Sequence, residues 1–127
     1  MLHHLSVAPR DIVQSIGFYV QALAPLGIKR MMSHGGTETR PSYTGFGHGS
    51  RPYFFLVSQP QTQGYVHIAF AAESEMHVEA FYQAAISAGG SDNGPPGVRR
   101  HYHERYYSAF VLDPDGFNIE AVHWPGF

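Results

Sequence analysis

The chain contains no cysteine, which removes disulfide frameworks, zinc ribbons and thiol nucleophiles together. It has one lysine, Lys29, and seven arginines that stand singly apart from Arg99-Arg100. Without a basic face, and with a formal net charge of −2, nothing electrostatic recommends nucleic acid or an anionic membrane as a partner. Charged residues make up only 14% of the sequence, yet no run approaches the ~20 consecutive apolar residues of a membrane helix. Met1-Leu2-His3-His4 carries neither the basic nor the apolar region of a secretory signal, so the expected location is cytoplasmic.

What is present is a chain of 127 residues, 43% hydrophobic and 14% aromatic. That is enough apolar surface to build one core and too much for a disordered segment. Nine histidines are present. Histidine is the commonest metal ligand and proton-transfer group, so their placement decides the functional reading.

The placement follows from an internal repeat. His4-Leu5-Ser6-Val7-Ala8 lies over His67-Ile68-Ala69-Phe70-Ala71 at an offset of 63 residues. Without a gap, the same offset puts Asp11 on Ser74, Phe18-Tyr19 on Phe81-Tyr82, Leu23 on Ile86 and Gly27 on Gly90. Each copy opens with a β-type run, residues 2–8 and 65–72, followed by an amphipathic helix. Asp11 and Ser74 are the N-caps; Pro25 to Gly27 and Gly89-Gly90 are the stops. Strands are expected over 28–34, 43–48 and 53–58 in the first copy, and over 106–112 and 117–123 in the second. The second copy's remaining strand falls within 91–101. Asp113-Pro114-Asp115-Gly116 joins the last two strands as a tight turn. The order is βαβββ twice, an α+β domain spanning 1–127, with module 1 at about 1–60 and module 2 at about 64–127.

Strand side chains alternate between faces. Leu5 and Val7, and Ile68 and Phe70, belong under a helix, which turns His4 and His67 to the opposite, concave side. In the last strand Phe117, Ile119 and Ala121 face the helices, which leaves Glu120 with the histidines. If Leu112 pairs with Phe117, Ala109 stands opposite Glu120 and Tyr107 opposite Val122, so Tyr107 shares the face of Glu120. The matching register in the first copy pairs His48 with Phe55 on that face and maps Glu120 onto Val57. Two imidazoles and a carboxylate are the makings of a site with three protein ligands and open positions. A lone carboxylate between Ile119 and Ala121 is costly unless something pairs with it.

These residues resemble the vicinal oxygen chelate superfamily of glyoxalases, extradiol dioxygenases, fosfomycin-resistance transferases and bleomycin-resistance proteins. The likeness runs from His4-Leu5-Ser6-Val7 through Phe18-Tyr19 to the stretch from Phe110 to Glu120. It implies paired βαβββ modules forming a cup-shaped mixed sheet, helices outside, around one divalent metal (Zn, Ni, Mn, Co or Fe(II)). Its metal ligands would be His4, His67 and Glu120. Val57 occupies the position of a fourth ligand in four-ligand glyoxalases and cannot coordinate. The two-His-one-Glu set is closer to the fosfomycin transferases and the extradiol dioxygenases. It also argues against pure sequestration, since the bleomycin-binding relatives lack the metal set.

The implied activity is that of a lyase, isomerase or transferase acting on a small oxygen-rich molecule or its thiol adduct, with glutathione or another thiol as co-substrate. Lewis-acid stabilisation of an enediolate or oxyanion would drive it. An extradiol-type iron(II) dioxygenase and a drug-sequestering module are the alternatives. Glu120 and Tyr107 are the catalytic candidates; His48, Arg100, His101 and His103 are the substrate-binding ones. Many relatives exchange modules between subunits, so the expected partners are a small-molecule substrate and a second copy. The site would then lie near or across a homodimer interface.

Overall fold

The computed structural model describes residues 1–126. β1 (Leu5–Val7) leads into α1 (Ile12–Leu23), a 3-10 turn (Ala24–Leu26), β2 (Lys29–His34), β3 (Tyr43–His48) and β4 (Arg51–Val57). β5 (His67–Ala71) leads into α2 (Glu75–Ser87), β6 (Ser91–Asp92), β7 (Gly97–Val98), β8 (Tyr107–Leu112) and β9 (Asn118–His123). One sheet has the order β1-β4-β3-β2; the other runs β5-β9-β8-β6, with β7 also on β8. β1 lies parallel to β4, and β5 parallel to β9. The fold is α+β with mixed sheets, as the sequence implies.

The helices start and stop where the sequence places their caps. Asp11 Oδ1 accepts from the Val13 and Gln14 amides, and Ser74 Oγ accepts from the His77 amide. Gly27 and Gly89 take left-handed backbone angles, φ 77° and 102°, which a side chain would strain. Ile12, Ile16, Tyr19 and Leu23 on α1, and Val78, Phe81 and Ala85 on α2, are buried in one apolar core. That core also takes Val7, Phe54, Phe70, Ile119 and Ala121 from the covered faces of both sheets. Phe54 and Phe70 meet edge-on, ring centroids 5.5 Å apart, and join the two halves.

The strand within 91–101 is short and irregular, as Asn93-Gly94-Pro95-Pro96-Gly97 implies: it is split into two-residue pieces, because Gly94 sits at φ 143° and Pro95-Pro96 has no amide to give a ladder. One local expectation is corrected. The β8–β9 hairpin is shifted by one residue: Leu112 pairs with Asn118, Phe110 with Glu120, Ala109 with Ala121 and Tyr107 with His123. The turn closes with Gly116 N donating to Asp113 O at 2.9 Å, and Asp113 itself pairs with Phe117. Phe117 is thus taken up by the turn rather than by the strand. A one-residue slip exchanges the faces of every side chain on β8.

Candidate functional site

β9 reads Asn118-Ile119-Glu120-Ala121-Val122-His123, and its alternate residues Ile119 and Ala121 are fully buried in the core. Glu120 points the other way and is still only 1% exposed. A carboxylate so enclosed needs partners, and it has one on each oxygen. His67, at the start of the neighbouring strand β5, brings Nε2 to 2.8 Å from Oε1. The Tyr106 phenol donates to Oε2 at 2.5 Å. His67 keeps 35% of its side chain exposed, so the pair opens to solvent through the imidazole.

Aromatic rings enclose this pair. Phe110 lies 6.0 Å from the His67 ring, Tyr65 lies 6.3 Å from it, and the Arg99 guanidinium sits 5.4 Å over Phe110. Tyr106 is flanked by Tyr102 at 4.9 Å and Trp124 at 5.2 Å. Burial pushes the Tyr106 hydroxyl well above its ordinary value, and the hydrogen bond to the Glu120 carboxylate and that group's charge push it further. The phenol is therefore neutral and a donor at any physiological pH. A cavity of about 480 Å³ adjoins it, lined by Ala69, Ala71, Tyr106, Val122 and Trp124 among others. Ser108, which pairs with Val122 one step along the hairpin from Glu120, is fully buried. Its hydroxyl has no hydrogen-bond partner among the described residues.

The shifted register corrects the placement of Tyr107. It lies on the helix side, where its hydroxyl donates to Glu79 of α2 at 2.7 Å; this bond, with burial second, pushes the phenol up to about 12. Tyr106 takes the place expected of it. The signal was in the sequence, since the two tyrosines are adjacent at the start of the strand, and only the pairing offset told them apart.

His48 is corrected too. Phe55 pairs with Gly45, while His48 pairs with Arg51 across a bulge. The close approach of Gly47 to the Arg51 carbonyl, which a Cβ would meet at 2.0 Å, permits the irregularity. His48 Nε2 lies 3.1 Å from the Leu26 carbonyl, and Tyr53 donates to Nδ1 at 2.6 Å. It borders another crevice, of about 310 Å³, with His4, Tyr53 and Phe54, which shares Ala69 and Ala71 with the larger cavity.

Arg100, His101 and His103 lie in an exposed turn, where the Tyr102 and His103 amides donate to Arg99 O at 3.0 and 3.2 Å. The His103 ring lies tilted against Trp124 at 5.6 Å, whereas His101 contacts Tyr102 at 4.1 Å. The turn reaches the site through Tyr102, Tyr106 and Trp124.

His4 is exposed just before β1, with Nδ1 2.8 Å from His3 Nδ1 and its ring 5.5 Å from Phe55. Phe55 pairs with Ser6 on the uncovered face, so His4 has the facing that the repeat implies. It does not join His67 and Glu120 within one chain. Among the described residues, no group of three or more His, Cys, Asp or Glu side chains is arranged to hold a metal ion. No helix among them is long and apolar enough to cross a membrane.

A buried carboxylate beside a half-open imidazole, set on a sheet of this topology, narrows the class of protein. The chain belongs to the Glyoxalase/Bleomycin resistance protein/Dioxygenase superfamily, whose family model matches residues 1–121. It is similar to the crystal structure of a glyoxalase/bleomycin resistance protein from Albidiferax ferrireducens T118. The identity is 31% and the TM-score 0.81, over 95% of this chain and 97% of that one. A glyoxalase/bleomycin resistance protein/dioxygenase family enzyme from Burkholderia phytofirmans PsJN shares the fold at 20% identity and TM-score 0.71, over 96% and 97%. So does a glyoxalase I variant from Zea mays, at 22% identity and TM-score 0.67, over 95% of this chain and 43% of that one. No curated protein sequence matches the chain.

Proposed function

We propose that the chain is a divalent-metal-dependent enzyme of this superfamily, a glyoxalase-like lyase or isomerase or a related transferase. Its substrate would be a small oxygen-rich molecule or the adduct of one with glutathione or another thiol. The observation that carries this reading is the Glu120 carboxylate, 1% exposed, with His67 Nε2 2.8 Å from one of its oxygens. An acid and an imidazole held so close in a buried setting are donors a divalent cation accepts in place of the proton they share. His67 and Glu120 would hold the cation with His4 of a second copy, because His4 stands on the uncovered face of the other sheet. Such a cation (Zn, Ni, Mn, Co or Fe(II)) would supply Lewis-acid stabilisation of developing negative charge on substrate oxygens.

The chain's own residues would do the rest. Glu120 is positioned to take a proton from a carbon next to a carbonyl and return it to the neighbouring carbon. Tyr106 and Phe110 screen it from water, and the aromatic wall of Tyr102, Tyr106 and Trp124 supports the substrate's apolar part. The exposed Arg100, His101 and His103 would contact polar substituents at the mouth.

One observation favours a second reading, ligand capture without turnover: a single chain unites only two of the three donors. Metal analysis of untagged protein decides between the two. Near-stoichiometric metal that is lost in His67→Ala supports the enzyme. Metal-free protein that still binds an aromatic drug overturns it. Oxygen-sensitive iron(II) as the resident metal would instead mark a dioxygenase.

A further inference from the structure

We propose that the crevice between β1 and β5 binds a small hydrophobic carboxylate, a ring or branched chain with one anionic end, gripped at the rim by Arg51. No metal is needed for it. The space follows from the topology. β1 and β5 each stand at the end of a sheet, hydrogen-bonded to β4 and to β9 respectively. Residues 2–5 on one side and 68–71 on the other line the gap, whose volume is about 310 Å³. A cavity of roughly 150 Å³ holds one benzene ring in a protein interior, so this one has room for a ring and a short chain.

The two ends of the space differ in chemistry. Leu5, Ile28, Phe54, Ile68 and Phe70 supply an apolar wall, and the edge-on contact of Phe54 with Phe70 at 5.5 Å fixes its deepest part. Leu2 stands at the rim, 70% exposed, so a seated apolar ligand would take its side chain out of water. From the rim a further crevice of about 330 Å³, which shares Leu2, His3, His48 and Tyr53, runs to Arg51. No carboxylate side chain lines either space. In a chain of formal net charge −2, a rim that carries a guanidinium and no acid selects an anion over a cation.

The hydrogen bonds leave Arg51 as the free donor. Burial raises the Tyr53 phenol above its ordinary value, so it is neutral and does not repel an anion. Its hydroxyl donates to His48 Nδ1 at 2.6 Å, while His48 Nε2 lies 3.1 Å from the Leu26 carbonyl. A carbonyl only accepts, so Nε2 carries the ring proton and Nδ1 takes the phenol's. That relay is closed and holds the corner of the crevice in place. The Arg51 guanidinium, by contrast, has no hydrogen-bond or ion-pair partner among the described residues. Its planar fork matches the two oxygens of a carboxylate.

The test titrates untagged, isotope-labelled protein with phenylacetate, phenylethanol and phenethylammonium, with calorimetry for affinity and amide NMR shifts for location. Phenylacetate should bind about tenfold or more tighter than phenethylammonium, with phenylethanol between them, and should shift the Leu5, Tyr53 and Phe70 amides. Arg51→Gln, a change at an exposed position, should weaken phenylacetate about tenfold and leave phenylethanol unchanged. His67→Ala should leave all three affinities as they are in wild type. Failure of phenylacetate to bind at millimolar concentration, equal affinities for the three probes, or undiminished phenylacetate affinity in Arg51→Gln would each overturn the proposal. So would loss of phenylacetate binding in His67→Ala, which would put the probe on the Glu120 face instead. Metal content is read separately, so the metal-dependent function stands or falls without this result.

Discussion

The phenol of Tyr19, in the middle of α1, donates to Asp113 in the β8–β9 turn at 2.5 Å, the two residues standing 94 positions apart in the chain. Tyr19 is fully buried and Asp113 nearly so. Asp113 Oδ1 also accepts from the Asp115 and Phe117 amides at 2.8 and 3.0 Å. Nearby, Arg10 N, Ser15 Oγ and Gln61 Nε2 donate to the Asp115 carboxylate. The turn that launches the Glu120 strand is therefore tied to the first helix, and the two halves of the chain are held together by polar bonds as well as by Phe54 and Phe70.

Tyr19→Phe should lower stability by about 2 kcal/mol at neutral pH, the range for a lost hydrogen bond to a charged group. The pH dependence gives it a signature. Burial raises the Asp113 carboxyl above its ordinary 3.8, and the Tyr19 bond pulls it part of the way back. The net raised value means that ionising Asp113 costs stability as pH rises from below 3.8 through the folded value. The Tyr19 bond offsets part of that cost, so its benefit is present above that value and fades as pH falls through it. Urea midpoints should differ most at pH 7 and converge in acid. A gap that widens in acid would contradict this account.

The repeat, the caps and the facing of Glu120 and His67 were legible in the sequence because each depends on local patterning: period, N-cap chemistry and strand alternation. The offset between β8 and β9 was not. Whether Phe117 enters the strand or closes the turn depends on Asp113 bonding back to the Phe117 amide, a tertiary arrangement that Tyr19 supports from far away in the chain. That one residue exchanged Tyr107 for Tyr106. In the same way the bulge beside Gly47, set by close backbone approach to Arg51, moved His48 out of the expected set. Ser108 is not legible at all, since a serine within a strand carries no signal until its burial is known.

Tyr107→Phe separates the two tyrosines experimentally. Its hydroxyl bonds Glu79 on the helix side at a largely exposed position, so removal should cost less than about 1 kcal/mol. Co(II) affinity should be unchanged, whereas Tyr106→Phe should weaken it about tenfold, as loss of a group bonded to a ligand commonly does. Equal effects of the two substitutions on Co(II) titrations would argue for the other hairpin register.

Ser108→Ala should leave the free protein as stable as wild type or raise it by up to about 1 kcal/mol, because it removes a buried hydroxyl whose hydrogen bond is unmade. Thermal melts check this directly. A loss of 2 kcal/mol or more would mean that the hydroxyl is satisfied by a bound water. In that case the variant would forfeit a bond rather than relieve an orphan.

The proposed sharing of one metal site between two copies predicts complementation between variants that bind no metal. His4→Ala and Glu120→Gln should each bind little metal as a homodimer, since each destroys both sites. In a mixed dimer one site receives both lesions, and the other receives an intact His4 from one copy with intact His67 and Glu120 from the other. Co-refolding equal amounts should restore about a quarter of the wild-type sites, since roughly half the dimers formed at random are mixed and each has one intact site. Metal content and Co(II) absorption read the recovery. Recovery in the mixture but not in either variant alone requires a site shared between chains. If the mixture merely averages the two variants, each chain must assemble its own site, and His4 would have to leave Phe55 and cross to the other sheet to do so.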